Sequence, residues 1–220
     1  MENKKGISES KALQWIEEQS KPFVKLMSYY RCAMMEIETK FNVLNEEFSL
    51  EHDRNPINGI KTRLKRVPSI VDKLGRIGLP VTIESVENGL NDVAGVRVIC
   101  SFITDVYTLA ESLLSQDDIT LIDRKDYIKS PKPNGYRSLH LIVSIPIFLA
   151  HEKREMKVEV QLRTIAMDFW ASLEHQMRYK KTAQFTAEME KELSDCAMES
   201  ALLDVRMDAL RKSVLEGGEK

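Results

Sequence analysis

The sequence predicts an α+β fold: a mixed β-sheet of four to five strands flanked by helices. Three observations predict it. The middle of the chain holds four β-branched runs, at 96–102, 119–122, 139–148 and 156–162. Both ends instead repeat apolar residues at helical spacing. The length of 220 residues exceeds the common domain size of about 100–150 but falls short of two full domains. One sheet-containing domain with helical additions at its ends accounts for all three.

The elements follow in order. From Ser8 to Phe48 there is no glycine, and Leu13, Ile16, Phe23, Leu26, Met27, Tyr30, Met34, Ile37, Phe41 and Leu44 fall at helical spacing. Pro22 divides this stretch into a short helix and a long one, since proline suits a first helical turn and not an interior. Residues 51–56 read as a loop. Ile60, Leu64, Val67, Val71 and Leu74 then predict a helix, kinked or restarted at Pro68 and ended by Gly75 and Gly78. Val106 to Leu114 reads as a helix between the first two β-runs. A long helix is expected over Ala166–Lys180 on Ala166, Trp170, Leu173 and Met177, and one helix or two over Ala187–Leu215. The expected division is an N-terminal helical extension (1–56), a central domain (57–181) and a C-terminal helical extension (182–220). There is no internal repeat.

Composition removes several function classes. Hydrophobic residues at 43% and charged residues at 30% describe an ordinary soluble chain able to form a core. With 32 basic against 34 acidic side chains, net charge −2, a bulk electrostatic grip on nucleic acid or membrane is not expected. Cys32, Cys100 and Cys196 are odd in number, far apart and never in a CxxC, which suits a reducing cytoplasmic setting. The polar Met1–Lys11 predicts no signal peptide, and no apolar run reaches the length needed to cross a bilayer.

The residues that carry chemistry cluster in three places. In Lys157–Arg163, alternation sends Val158, Val160 and Leu162 to one face and Glu159, Gln161 and Arg163 to the other. Pattern alone fits equally a half-exposed edge strand or a cleft in which Glu159 binds a metal or accepts a proton. Asp92, just ahead of the 93–102 run, is either a turn residue after Gly89 or the second carboxylate of that cleft. Two carboxylates from different strands are what Mg²⁺ needs when substrate phosphates supply its other oxygens. Lys65, Ser69 and Lys73 follow at i, i+4, i+8, with Arg76 three further on and Lys61, Arg63 and Arg66 close by. Such a row is either a solvated helix face or a polyphosphate grip. Finally, Lys129–His140 carries two prolines and an Asn134–Gly135 turn that presents Tyr136 and Arg137 at a strand's start, with His140 beyond. The tyrosine is an incidental hairpin residue or a flat surface for a base. No P-loop or dinucleotide fingerprint exists, so phosphate binding must rest on side chains. The His52–Asp53 pair has no zinc-type spacing around it.

Taken as ordered motifs, Asn91–Arg97, Lys125–Ile128, Gly135–His140, Glu159–Thr164 and Ala166–His175 with Tyr179–Lys180 resemble the synthetase domain of the RelA/SpoT homologues over about residues 57–181. The chain as a whole is similar to the small alarmone synthetases, being too short for the hydrolase and regulatory domains of the long forms. The resemblance implies a nucleotidyltransferase-like synthetase domain, a cytoplasmic homotetramer, and Mg²⁺-dependent transfer of pyrophosphate from ATP to the ribose 3′-hydroxyl of GDP or GTP. It implies that Asp92 and Glu159 bind the metal, with Glu159 also the base. It places Arg63 and Arg97 about adenine, and Lys65, Ser69, Lys73 and Arg76 on the donor phosphates. Tyr136 would stack on guanine, with Lys132, Arg137, His140, Gln161, Arg163 and Asp168 in the acceptor region. Asp168 stands where some relatives carry Asn; a carboxylate accepts from guanine N1 and N2 but cannot donate to O6. Asp123–Asp126 departs from the Arg-x-Lys-Asp of long homologues. Two further classes remain open on the sequence: a transferase acting on RNA, and a guanine-nucleotide sensor without turnover.

Overall fold

A computed structural model describes residues 3–52, 54–179 and 186–217. Five strands form one sheet in the order β1-β2-β5-β4-β3: β1 Ile57–Leu64, β2 Ala94–Cys100, β3 Thr120–Asp126, β4 Leu139–Phe148 and β5 Lys153–Thr164. β2 and β5 run parallel and every other neighbouring pair is antiparallel, so the sheet is mixed as expected. β5 lies in the middle, between β2 and β4, and not at an edge. Among the described residues six helices accompany the sheet: α1 Asn3–His52, α2 Val67–Arg76, α3 Ile83–Gly89, α4 Ile103–Leu114, α5 Ile165–Tyr179 and α6 Ala187–Gly217.

One core joins α1, α4 and one face of the sheet. Tyr30, Ile37 and Phe41 of α1, Leu109 and Leu113 of α4, and Val158, Val160 and Leu162 of β5 are all buried in it. The period-two alternation of β5 is the cause, because burying Val158, Val160 and Leu162 turns Glu159, Gln161 and Arg163 to the opposite face. The N-terminal helix therefore completes the core beneath the sheet and is no separate appendage.

Several expectations are corrected. The helix expected from Ile60 onward is a strand as far as Leu64, and only 67–76 is helical. β1 is an edge strand in which Lys61, Thr62 and Arg63 are all exposed, so it has no clean alternation to read; antiparallel pairing with β2 holds it extended. Pro68 falls at the start of α2, where its missing N–H costs nothing. α1 continues through Pro22 to His52 without division, and so covers part of the loop expected at 51–56; Asp53 lies outside the described residues, as does Lys180. The tail is a single helix, and the short α3 was not anticipated.

α6 is inverted relative to an ordinary surface helix. Asp204 and Asp208 are buried, while Met198, Leu202, Leu203, Val205, Met207, Leu210 and Val214 are exposed. Its inward stripe packs Leu193 and Ala197 on Trp170 and Ala171 in its first half and is held by polar contacts in its second, where Thr164 Oγ1 donates to Asp204 (2.6 Å) and Thr104 Oγ1 to Asp208 (3.1 Å). Trp170 Nε1 donates to the Leu193 carbonyl at 2.9 Å.

Candidate active site

The face of the sheet turned away from the core carries a cleft of about 340 Å³ lined by Lys61, Arg63, Asp92, Arg97, Glu159 and Gln161. Its first rim is built by β1, the start of β2 and α2. The β1–β2 register sets Lys61 opposite Arg97 and Arg63 opposite Gly95. Arg63 and Arg97 are therefore diagonal neighbours across a position with no side chain, and such diagonals span about 7–8 Å. That gap matches a flat ring in contact on both faces at about 3.5–4.0 Å each.

α2 delivers Lys73, and the turn that leads into it from β1 delivers Lys65. The Lys65 amide donates to the Val93 carbonyl (2.8 Å), closing the end of the β1–β2 pairing. Lys65 Nζ (2.7 Å) and Lys73 Nζ (2.6 Å) then converge on Asp92 Oδ2. Burial pushes the Asp92 carboxyl up, but the hydrogen bonds and charges of the two lysines outweigh it and hold the group below its ordinary value. Ser69 shares α2 with Lys73, while Arg76 is exposed at its last residue. Asp92 Oδ1 is buried and has no hydrogen-bond partner. A buried carboxylate oxygen left without a donor fits a cation. Among the described residues no group of three or more His, Cys, Asp or Glu side chains converges, so an ion here would need oxygens from a bound phosphate.

The second rim is built by the 127–138 segment, β4 and β5. The Gly135 amide donates to the Lys132 carbonyl (2.8 Å), and Gly135 takes φ +86°. That turn carries Tyr136 inward. Tyr136 Oη accepts from Arg163 Nη2 (2.6 Å) and Ser138 Oγ (3.0 Å) and lies 2.8 Å from His140 Nε2. His140 Nδ1 is 3.2 Å from Glu159 Oε1. Gln161 Nε2 donates to Glu159 Oε2 (3.0 Å), and Gln161 Oε1 accepts from Arg163 Nη2 (3.1 Å). Burial pushes Glu159 up, yet the hydrogen bonds from His140 and Gln161 leave it below its ordinary value, against the opposing charge of Asp92. The Tyr136 ring has Arg163 5.0 Å and Lys132 4.8 Å from its centroid; Lys132 also sits 4.6 Å from that of Tyr127.

Asp168, one turn into α5, ties the rims together. Its Oδ1 accepts from Arg97 and from Arg163, both at 3.2 Å, and its Oδ2 from Lys61 at 3.0 Å. Burial raises its carboxyl, and these three cations bring it back below its usual value.

The structure thus gathers Arg63, Lys65, Lys73, Asp92, Arg97, Lys132, Tyr136, His140, Glu159, Gln161, Arg163 and Asp168 about one face. It does not bring Arg137 there. That side chain donates to the Ile128 carbonyl (3.2 Å) and lines a cavity against Ala197, Ala201 and Asp204 of the inner part of α6. Tyr127 and Ser138, which the sequence gives no role, join the network, and Lys61, expected beside the phosphate-binding row, pairs instead with Asp168. Alternation of Lys61 with Arg63 would have placed Lys61 on the same face, had β1 been read as a strand.

A sheet face that brackets two carboxylates between lysines on one side and a tyrosine with arginine on the other defines a class: transferases that hold phosphorylated substrates by side chains, without a glycine-rich loop. Residues 62–184 match the family described as "Region found in RelA / SpoT proteins". GTP pyrophosphokinase YwaC of Bacillus subtilis is 43% identical over 185 residues, 84% of this chain and 88% of that protein. GTP pyrophosphokinase YjbM of the same organism is 33% identical over 89% of this chain and 92% of its own length. The small alarmone synthetase 2 structure from B. subtilis superposes with a TM-score of 0.79 at 40% identity, covering 87% of this chain and 98% of that one. Small alarmone synthetase 1, solved with its product pppGpp, gives 0.80 at 32% identity over 88% and 98%. This chain belongs to the RelA/SpoT family.

Proposed function

We propose that this protein is a GTP pyrophosphokinase of the small alarmone synthetase type, making ppGpp or pppGpp and AMP from ATP and GDP or GTP. The observation that carries the reading is the placement of Asp92 and Glu159 in one cleft, each below its ordinary pKa, between a lysine-rich rim and a tyrosine–arginine rim. Arg63 and Arg97 would clasp adenine, with Lys65, Ser69, Lys73 and Arg76 along the donor phosphates. Tyr136 would stack on guanine after Lys132 moves from its ring, with Arg163 and Asp168 beside it and Arg137 bracing the loop from behind.

In the transfer, the ribose 3′-oxygen attacks the β-phosphorus of ATP and the bond from that phosphorus to the α-phosphate oxygen breaks. AMP leaves with the electron pair, and Glu159, ionised at neutral pH, accepts the hydroxyl proton. Lys65 and Lys73, paired with Asp92 in the free protein, would turn to the phosphates and neutralise their charge. Mg²⁺ held by Asp92 and Glu159 would supply charge neutralisation at the phosphate oxygens. The buried, unpartnered Asp92 Oδ1 supports that assignment.

The exposed apolar face of α6 supports a homotetramer, since a helix with Asp204 and Asp208 inward and eight large apolar side chains outward gains by covering the latter. Light scattering would find a tetramer; a monomer at working concentration overturns that part. Among the described residues no helix is long and apolar enough to cross a membrane, and the free cysteines are in keeping with a cytoplasmic setting. The deciding assay incubates the protein with ATP, Mg²⁺ and GDP, GTP or GMP and follows AMP. AMP formed with GDP or GTP supports the reading. AMP formed only when RNA is added, or nucleotide binding with no AMP, overturns it.

A further inference from the structure

We infer that the hydroxyl of Tyr136, apart from its ring, fixes the tautomer of His140, and that His140 so fixed is a positioning residue for Glu159. The inference rests on the pyrophosphokinase reading for its kinetic readout, and on atoms alone for its geometry.

A phenol hydroxyl has one proton to give and can accept two hydrogen bonds. On Tyr136 both acceptor places are filled: Arg163 Nη2 donates at 2.6 Å and Ser138 Oγ at 3.0 Å. A guanidinium is always a donor, so the direction of the first bond is settled. Arg163 cannot swing away, because its side chain is 5% exposed and its Nη1 is held by Asp168 at 3.2 Å. With Ser138 donating as well, the single proton of Tyr136 points at His140 Nε2, 2.8 Å away. A neutral imidazole that accepts at one nitrogen carries its proton on the other. His140 Nδ1 then donates to Glu159 Oε1 at 3.2 Å. Every link runs one way, from Arg163 through Tyr136 and His140 to Glu159.

A second, shorter chain runs from the same guanidinium through Gln161 to Glu159 Oε2. The two branches hold one carboxylate oxygen each, so the plane of Glu159 is set by a residue it never touches. Tyr127 steadies the longer branch from its edge, 5.3 Å from the His140 ring at 89°. Without the Tyr136 hydroxyl, Nε2 loses its donor and Glu159 alone is left to favour Nδ1–H; in the Nε2–H form Nδ1 would face Glu159 as an acceptor, oxygen against lone pair. Tyr136 thus has two separable jobs, a ring for the acceptor base and a hydroxyl for the orientation of the base catalyst.

Tyr136→Phe separates them, since it keeps the ring. The expected result is a kcat reduced about 10-fold or more with acceptor KM changed less than about threefold, the scale of outer contacts that orient a reactive group. In ¹⁵N-labelled protein without nucleotide, the His140 imidazole, assigned by its absence in His140→Asn, should show the Nδ1–H pattern in the parent and lose it in Tyr136→Phe. Asn at 140 keeps a donor near the Nδ1 position without the Nε2 arm, so the losses in His140→Asn and Tyr136→Phe should fail to add in the double variant. A parent His140 in the Nε2–H form overturns the inference. So does Tyr136→Phe with unchanged kcat, or with a raised acceptor KM alone. If the parent makes no AMP from ATP and GDP or GTP, the pyrophosphokinase reading fails instead, and the imidazole spectrum still decides the tautomer.

Discussion

The two carboxylates of the cleft have the same chemistry and are held in opposite ways. Asp92 is gripped at one oxygen by two full charges, Lys65 and Lys73, and its other oxygen has nothing. Glu159 is held at both oxygens by His140 and Gln161, each fed from Arg163. Ion pairs to flexible lysines can be surrendered when phosphate and a cation arrive, because the lysines then find new anions. A directional network preserves geometry instead and has little charge to exchange. The lysine rim is thus built of contacts that anions can replace, and the tyrosine–arginine rim of contacts that keep their geometry.

The sharpest way to break this contrast is Glu159→Gln. The amide keeps size but cannot take a proton, so AMP release should fall about 10²–10⁴-fold. The fold should be little changed, since Gln can still accept from one neighbour. A rate within threefold of the parent would leave Glu159 no role in proton transfer. Next in size is Asp168→Asn, which cuts the bridge between the rims. Arg97 and Arg163 already oppose each other, as burial followed by the Arg163 charge holds Arg97 below its ordinary value. Removing the anion that offsets them should destabilise the fold by about 2–4 kcal/mol, the scale of breaking a buried pair. Urea unfolding measures it; an unchanged midpoint means Asp168 only awaits a ligand.

Gly135→Ala tests the stiffness claimed for the tyrosine–arginine rim. At φ +86° an L side chain is strained, and its Cβ would meet Ala197 Cβ at 2.5 Å. A loss of about 1–3 kcal/mol is expected, with a larger fall in kcat than in the affinity for ATP. Ala197→Gly should relieve the clash and not the strain, restoring part of the stability. Full restoration would place the whole cost in the contact with α6.

How much of this could be read from the chain depends on which forces are local. β2, β4 and β5 were legible because continuous burial or strict alternation writes itself into consecutive residues, and Glu159, Gln161 and Arg163 followed from β5. β1 was not, because Ile60, Leu64, Val67, Val71 and Leu74 keep helical spacing while the extension of 57–64 is imposed by β2, more than thirty residues away. Lys65 and Lys73 do lie together, but not on one helix face as their spacing predicts, because the helix begins after Lys65. Their convergence on Asp92, the Asp168 bridge from Lys61 across 107 residues, and the inverted α6 arise from tertiary placement and leave no local pattern. Arg137 shows the reverse: its position next to Tyr136 in sequence sends it to the other side of the loop, since neighbours in an extended segment point apart.

The smallest effect concerns acid stability, and it separates the two carboxylates by sign. Both are held below the ordinary carboxyl value, so both contribute stability that is present above that value and lost as pH falls through their folded pKa. For Asp92, burial alone acts in the opposite direction and only the lysines overcome it. In Lys65→Met/Lys73→Met, burial is left to act on Asp92 unopposed and its carboxyl should rise above the ordinary value. The contribution then reverses: it is present at low pH and lost as pH climbs through the raised value, by about 1 kcal/mol for each pH unit of displacement. Glu159 keeps His140 and Gln161 in this variant and should keep its sign. Carboxyl ¹³C titration of the double variant reads both groups in one sample. Asp92 still below its ordinary value would mean that its position never depended on the lysine charges, and the contrast between an exchangeable rim and a fixed one would lose its basis.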